Sequence, residues 1–306
     1  MGLVLATTDL RGIAVALGKT RWPWYLLAQI TMISYIGLIV CRWRYLLKLQ
    51  GIIYPFQKVF LIYNAGSLAG AVTPGRLGDF ARLIYFRQEN HSIISVTLSI
   101  ILDRFLDLFI LTVIGMAAIF FLPLPKLFRD GVLGLVPISL LLVIGFCLLA
   151  WRTWNWDWLR SVLVKMVPLK FRPQVDQGLL GVQDAVRPFL SWRLSWPLIL
   201  TILGWAMNFL AAYFIARALN LHLGLLQVGA CLALTTLFTL IPISIAGIGT
   251  REVSLIFLFS LLGMKQEQAL AFSCLLLGLV VTHGLIGWLS LTLQPPCEPR
   301  VAHCPK

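Results

Sequence analysis

Long uncharged apolar runs constrain this chain more than any other feature. Trp22 to Val40, Leu133 to Ala150, Trp196 to Ala216 and Ala269 to Leu293 each pass without an Asp, Glu, Lys or Arg. About 20 such residues in a helix cross the ~30 Å hydrocarbon core of a bilayer. Alternating period-two segments, which would mark barrel strands, do not accompany them. Backbone polar groups must be satisfied within the membrane, so the runs predict an all-α fold, a polytopic helical membrane bundle. Charge content agrees. Only 12% of the 306 residues are charged, where a soluble domain carries about 25%.

Two further apolar stretches are broken. Phe56 to Val72 carries Asn64, Gly66 and Gly70 and runs directly into Pro74, Gly75 and Gly78. Val228 to Ile241 falls short of a span and ends at Pro242, and Val253 to Leu262 is shorter still. Irregular backbone at membrane depth is tolerated where it is buried in protein or lines a watery cavity. The breaks TPGRLGDFAR (Thr73 to Arg82) and IPISIAGIGTREV (Ile241 to Val253) therefore predict two Gly/Pro-broken re-entrant elements around a central site. The succession of span, short element, break, short element and long span occurs twice, which suggests an inverted repeat. The expected organisation is one transmembrane domain over residues 1–294, followed by a disordered tail at 295–306. Within the domain a first half of about 1–150, an interfacial loop at 151–195 and a second half at 196–294 are expected, with an interfacial helix within the first 21 residues.

The formal charge is +13, with 25 Lys and Arg against 12 Asp and Glu. These cations sit in short clusters between apolar runs, the pattern of cytoplasmic loops and anionic headgroup contacts rather than of nucleic-acid binding. Arg42, Arg44 and Lys48 form one such cluster beyond the first span, and Trp151 to Arg193 is a Trp- and Arg-rich loop. Cys41, Cys147, Cys231 and Cys274 are scattered through apolar segments and give no disulfide framework. In the tail, Cys297, His303 and Cys304 lack a second ligand cluster, so no metal is expected, and no cofactor motif occurs. Phosphate loops, HExxH, GxSxG and CxxC are all missing.

Candidate site residues follow from the breaks. Arg76, Asp79 and Arg82 are spaced three apart, and Arg251 and Glu252 repeat the theme after Gly247 and Gly249. Glycines let backbone N–H groups approach an anion, and arginine offers a planar fork to phosphate oxygens. The same residues could instead neutralise one another where broken helices meet. Asp103 and Asp107 share a helical face, with Arg104 beside them. That face could relay protons, bind the cationic part of a headgroup, or serve as an internal ion pair that fixes packing. Asn64 and His283 are isolated polar groups in apolar helices, a common means of helix packing. Asn64 gains functional weight because it precedes the break.

These residues also carry a family resemblance. CRWRYLLKLQG (Cys41 to Gly51), NAGSLAGAVTPGRLGDFARLIYF (Asn64 to Phe86), LDRFLDL (Leu102 to Leu108), and PISIAGIGTREV with LLGMKQEQALA (Pro242 to Ala271) resemble the transmembrane domain of lysylphosphatidylglycerol synthetases and flippases. The family includes stand-alone proteins encoded beside glycosyltransferase and hopanoid genes. The resemblance implies a bundle with re-entrant elements that handles an anionic or aminoacylated lipid. It points to Pro74, Gly75, Arg76, Gly78, Asp79, Arg82, Asp103, Arg104, Asp107, Gly247, Gly249, Arg251 and Glu252. Family members usually have one more span before the segment corresponding to Asp9 to Arg44, and the chain is expected to begin after it. No soluble aminoacyl-transfer domain is expected with it, so synthesis of lysyl-lipid by this chain alone is not expected.

The expected function is transport of a phosphate-bearing membrane lipid, phospholipid or polyprenyl-phosphate-linked, in a bacterial plasma membrane. Two alternatives are a membrane transferase acting on a lipid-linked sugar, with Asp103 or Asp107 as base, and a non-catalytic partner of a glycosyltransferase docking through the 151–193 loop.

Overall fold

The structure is a computed structural model and describes residues 10–87, 92–126, 129–130, 134, 161, 164–165, 172–186, 189, 192–240 and 249–293. Among them the regular elements are helical. The helices are α1 (Leu10–Gly18), α2 (Trp22–Leu49), α3 (Phe56–Val72), α4 (Arg82–Arg87), α5 (Ile93–Ala117), α6 (Arg172–Val186), α7 (Ser195–Ala218), α8 (Leu225–Leu240), α9 (Thr250–Leu261) and α10 (Gln266–Leu293), with a 3-10 helix at Pro74–Ala81 between α3 and α4. The chain is an all-α helical bundle. Helices α2, α7 and α10 are long and apolar enough to cross a membrane.

Helix α2 begins with Pro23 in its first turn, where a missing N–H removes no helical hydrogen bond. At 28 residues it extends past the apolar run, so that Arg42 and Trp43 fall inside the helix and inside the protein. The expectation that Arg42, with Arg44 and Lys48, flanks the span at the headgroups fails for Arg42, which is fully buried. Arg44 and Lys48 are exposed, as expected. Helix α2 packs along α7, and α10 packs along α3. Small residues make the second contact close, since a Cβ at Gly287 would meet the Asn64 carbonyl 2.8 Å away, and they bring α10 close to α2 as well, where a Cβ at Gly278 would collide with the Tyr25 hydroxyl. Close backbone approach through small residues is how helices associate where lipid removes the hydrophobic incentive.

Two large apolar cores result, with a smaller one of Leu111, Trp205 and Ala233 where α5, α7 and α8 meet. One gathers α8, α9, α10 and the ends of α2 and α7 that lie near them; the other gathers the C-terminal half of α2 with α3, α4 and α5. The predicted run from Ile93 to Leu122 is helical to Ala117 and ends in a short 3-10 turn at Ala118–Phe120. Within the predicted interfacial loop, α6 lies against α5, and Gln50 at the end of α2 donates to the Ala185 carbonyl at 2.6 Å. The Leu133 to Ala150 span, most of the 151–193 loop, the 241–248 break and the tail lie outside the described residues.

Candidate functional site

The site begins with three glycines. Gly66 and Gly70 stand four apart on α3, and Gly78 lies in the 3-10 helix that turns back onto it. A Cβ on Gly66 would strike the aliphatic part of Arg82. One on Gly70 would come within 2.7 Å of the Asp79 carboxylate, and one on Gly78 would strike the Ala69 backbone. A GxxxG face, which usually receives a neighbouring helix, here receives the chain's own continuation. Thr73 makes the turn. It adopts an extended backbone at φ −97°, ψ 141°, donates its hydroxyl to the Ala69 carbonyl at 3.1 Å, and accepts the Gly78 N–H at 2.7 Å. Proline at 74 suits this start, since it fixes φ and lacks the donor that a helix's first turn leaves unpaired.

Folding back delivers Asp79 and Arg82 to α5. There Asp103, Arg104 and Asp107 complete a cluster with Arg42 from α2. Three guanidinium groups face three carboxylates, so the formal charges cancel. That balance is what burial requires, because an unpaired charge inside a membrane protein is costly. Arg42, Arg82 and Asp103 have no exposed side-chain surface. Asp103 is the hub: it meets Arg42 at 2.7 Å, Arg104 at 3.6 Å, Arg82 at 3.7 Å, and the Tyr63 hydroxyl, which donates to it at 3.4 Å.

Arg42 is saturated. It donates to Asp103 at 2.8 Å, to Asp107 at 2.6 and 3.1 Å, and to the Thr201 hydroxyl of α7 at 3.1 Å, while Trp205 of α7 donates to Asp107 at 3.1 Å. Arg82 lies over the rings of Tyr63 and Trp43, 3.8 and 5.0 Å from their centroids, and pairs with Asp79 at 3.1 Å. Cation–π contact supplements the ion pair where no water is near. Arg104 keeps a partly exposed side chain. It lies 3.1 Å from Asp79, 3.5 Å from Asp107 and 3.6 Å from Asp103, and donates to the Tyr63 hydroxyl at 3.3 Å.

The sequence therefore placed Asp79, Arg82, Asp103, Arg104 and Asp107 among the candidates, and the structure brings all five together. Arg42, Tyr63, Thr201 and Trp205 were missed. No local signal marks them, because Arg42 is 61 positions from Asp103 and 159 from Thr201. Pro74, Gly75 and Arg76 belong to the backbone of the 3-10 helix, but the Arg76 side chain lies outside the described residues.

The second break forms a separate constellation. Gly249 has φ +94°, a conformation that glycine adopts without strain. Glu252 reaches back to accept the Gly249 N–H at 2.7 Å, capping α9, and pairs with Arg251 at 2.8 Å. Ser273 of α10 donates to the same carboxylate at 3.0 Å. Among the described residues, Arg251 and Glu252 have no ion pair with the α5 cluster, and Gly247 lies outside them. Helix α10 connects the two regions: ten residues beyond Ser273, about 15 Å along the axis, His283 lies 3.1 Å from the Asn64 side chain on α3. The two isolated polar residues of the sequence are each other's partners.

No group of three His, Cys, Asp or Glu side chains suited to a metal ion occurs among the described residues. A family model described as "Lysylphosphatidylglycerol synthase TM region" matches residues 1–287. Neither a curated protein nor a solved structure matches the chain.

Proposed function

The chain belongs to the lysylphosphatidylglycerol synthase transmembrane-region family and is an integral membrane protein; from that premise we propose that it moves a phosphate-bearing lipid headgroup across the bilayer. The lipid is an anionic or aminoacylated phospholipid or a polyprenyl-phosphate-linked carrier, and the membrane is a bacterial plasma membrane. The observation that carries this reading is the cluster itself: Arg42, Arg82 and Arg104 against Asp79, Asp103 and Asp107, packed between long apolar helices. Ionisable groups are expensive at membrane depth and mark substrate paths. A charge-balanced cluster in which arginine forks can trade carboxylate for phosphate suits a headgroup that must leave water without being chemically altered.

In this reading the two Gly/Pro breaks are re-entrant and face a common path. Arg76 and Arg251 take phosphate oxygens, and Asp79 and Glu252 balance the charge or take an amine. Helices α3 and α10 move as a unit against the rest, so that the path opens to each side in turn. Asp107 has both oxygens engaged by Arg42, and Asp103 has one engaged by Arg42 and the other by the Tyr63 hydroxyl, which favours transport over a transferase using either as a base.

Reconstitution in vesicles containing fluorescent phosphatidylglycerol tests the proposal. Protein-dependent translocation is expected, with lipid mass unchanged, and Arg76→Ala and Arg251→Ala are each expected to slow it by about tenfold, the equivalent of one lost charge-assisted contact of about 1.4 kcal/mol. Absent translocation, or rates unchanged in both variants, overturns it.

A further inference from the structure

The six-charge cluster is held unevenly. On one side, every nitrogen of the Arg42 guanidinium donates a well-directed hydrogen bond of 2.6 to 3.1 Å, to Asp103, Asp107 and Thr201. On the other, Arg104 meets carboxylates at 3.1, 3.5 and 3.6 Å, and the shortest of these, from its buried Nε to Asp79 Oδ2, is an ion pair without hydrogen-bond alignment. Arg82 Nε and Nη1 also lack hydrogen bonds, but the Arg82 side chain is fully buried. Exposure runs the same way. The Arg42 side chain is 0% exposed and that of Arg104 is 22%. An ion pair that lies in range but is poorly aligned is exchanged for another oxyanion more readily than one held by aligned hydrogen bonds.

From this asymmetry, and resting on the transport reading above, we infer that within this cluster Arg104 is the residue that takes the headgroup phosphate as it passes between the two breaks, and that Arg42 is a positioning residue that never touches lipid. Arg42 fixes Asp103 and Asp107 between α2 and α7, so that the carboxylates stay in place when Arg104 releases them. A phosphate arriving at the exposed edge of Arg104 draws the guanidinium off its poorly aligned carboxylates into one fork-to-oxyanion contact. Asp79, freed of Arg104, still has Arg82 at 3.1 Å. No bond is made or broken, and the exchange is one ion pair for another. The surrounding residues fit this division. Arg82 is enclosed by Tyr63, Trp43, Ser67 and Gly66, which leaves no approach to it for a lipid.

Two double variants separate the roles. Arg42→Gln and Arg104→Gln each leave the cluster with one excess negative charge, and both lower stability. Adding Asp107→Asn restores neutrality to either. The expected result is that adding Asp107→Asn raises translocation of fluorescent phosphatidylglycerol by Arg42→Gln several-fold together with its melting temperature, whereas in Arg104→Gln it recovers the melting temperature but leaves translocation at least about tenfold slower than wild type. Binding of dihexanoyl phosphatidylglycerol, inorganic phosphate and dihexanoylglycerol, followed by native mass spectrometry, gives the second readout. Loss of phosphatidylglycerol binding in the Arg104 double variant alone supports the assignment. Retained inorganic phosphate binding in wild type without lipid binding assigns Arg104 to a free-anion site and overturns the headgroup role. If wild type binds phosphatidylglycerol at Arg104 but does not translocate it, the transport reading falls and the Arg104 assignment stands. Equal rates and equal binding in the two double variants overturn the inference.

Discussion

Arg42 shows how one residue's role depends on partners distant in sequence. Its guanidinium reaches two carboxylates on α5 and a hydroxyl on α7, and it is fully buried. Replacing a buried pair by apolar groups is often neutral, whereas deleting one partner strands the other's charge. Arg42→Leu alone is therefore expected to destabilise the protein by about 3–5 kcal/mol, read as a large fall in the detergent melting temperature, and an unchanged melting temperature would contradict the burial described here. The acidic members of the cluster were legible in the sequence because Asp103 and Asp107 repeat at helical spacing. Arg42 was not, because a cation just beyond an apolar run ordinarily lies at the headgroups. Asn64 and His283 were legible as polar intruders, but 219 positions separate them, and no local rule pairs them.

At the scale of elements, the hairpin of α3 and its 3-10 return was half legible. Pro74, Gly75 and Gly78 announced that the helix stops. Gly66 and Gly70 looked like weak points in a helix, yet their function is steric: they form the floor on which Arg82 and Asp79 rest. The tightest of these contacts is Gly78, whose added Cβ would meet the Ala69 backbone rather than a movable side chain. Gly78→Ala is expected to cost about 1–3 kcal/mol through overpacking and to lift Asp79 away from Arg104, which thermal melts of the variant in detergent would reveal. A wild-type melting temperature would show that the 3-10 segment does not lie on α3. At the second break, the sequence marked Gly249, Arg251 and Glu252 as candidates for an anion site, and the structure makes Glu252 the cap of α9 and supplies Ser273 as a partner that the sequence did not indicate.

At the scale of the whole molecule, the all-α membrane bundle was legible from apolar run lengths, since lipid leaves a helix few alternatives. The helix pairings were not. They depend on where small residues allow backbones to approach, such as Gly287 against Asn64, and on charges that meet across α2, α5 and α7. These contacts divide the described protein into two large apolar cores and a smaller third, with the ion cluster touching Tyr63 of one large core and Trp205 of the smallest. The transport proposal places the lipid's path along that cluster, with Asp103 at its hub. The most direct measurement is the rate of phosphatidylglycerol translocation by Asp103→Asn, compared with wild type at equal amounts of monodisperse protein in the same vesicles. The account expects a rate at least about tenfold lower with the lipid chemically unaltered; translocation at the wild-type rate would contradict it.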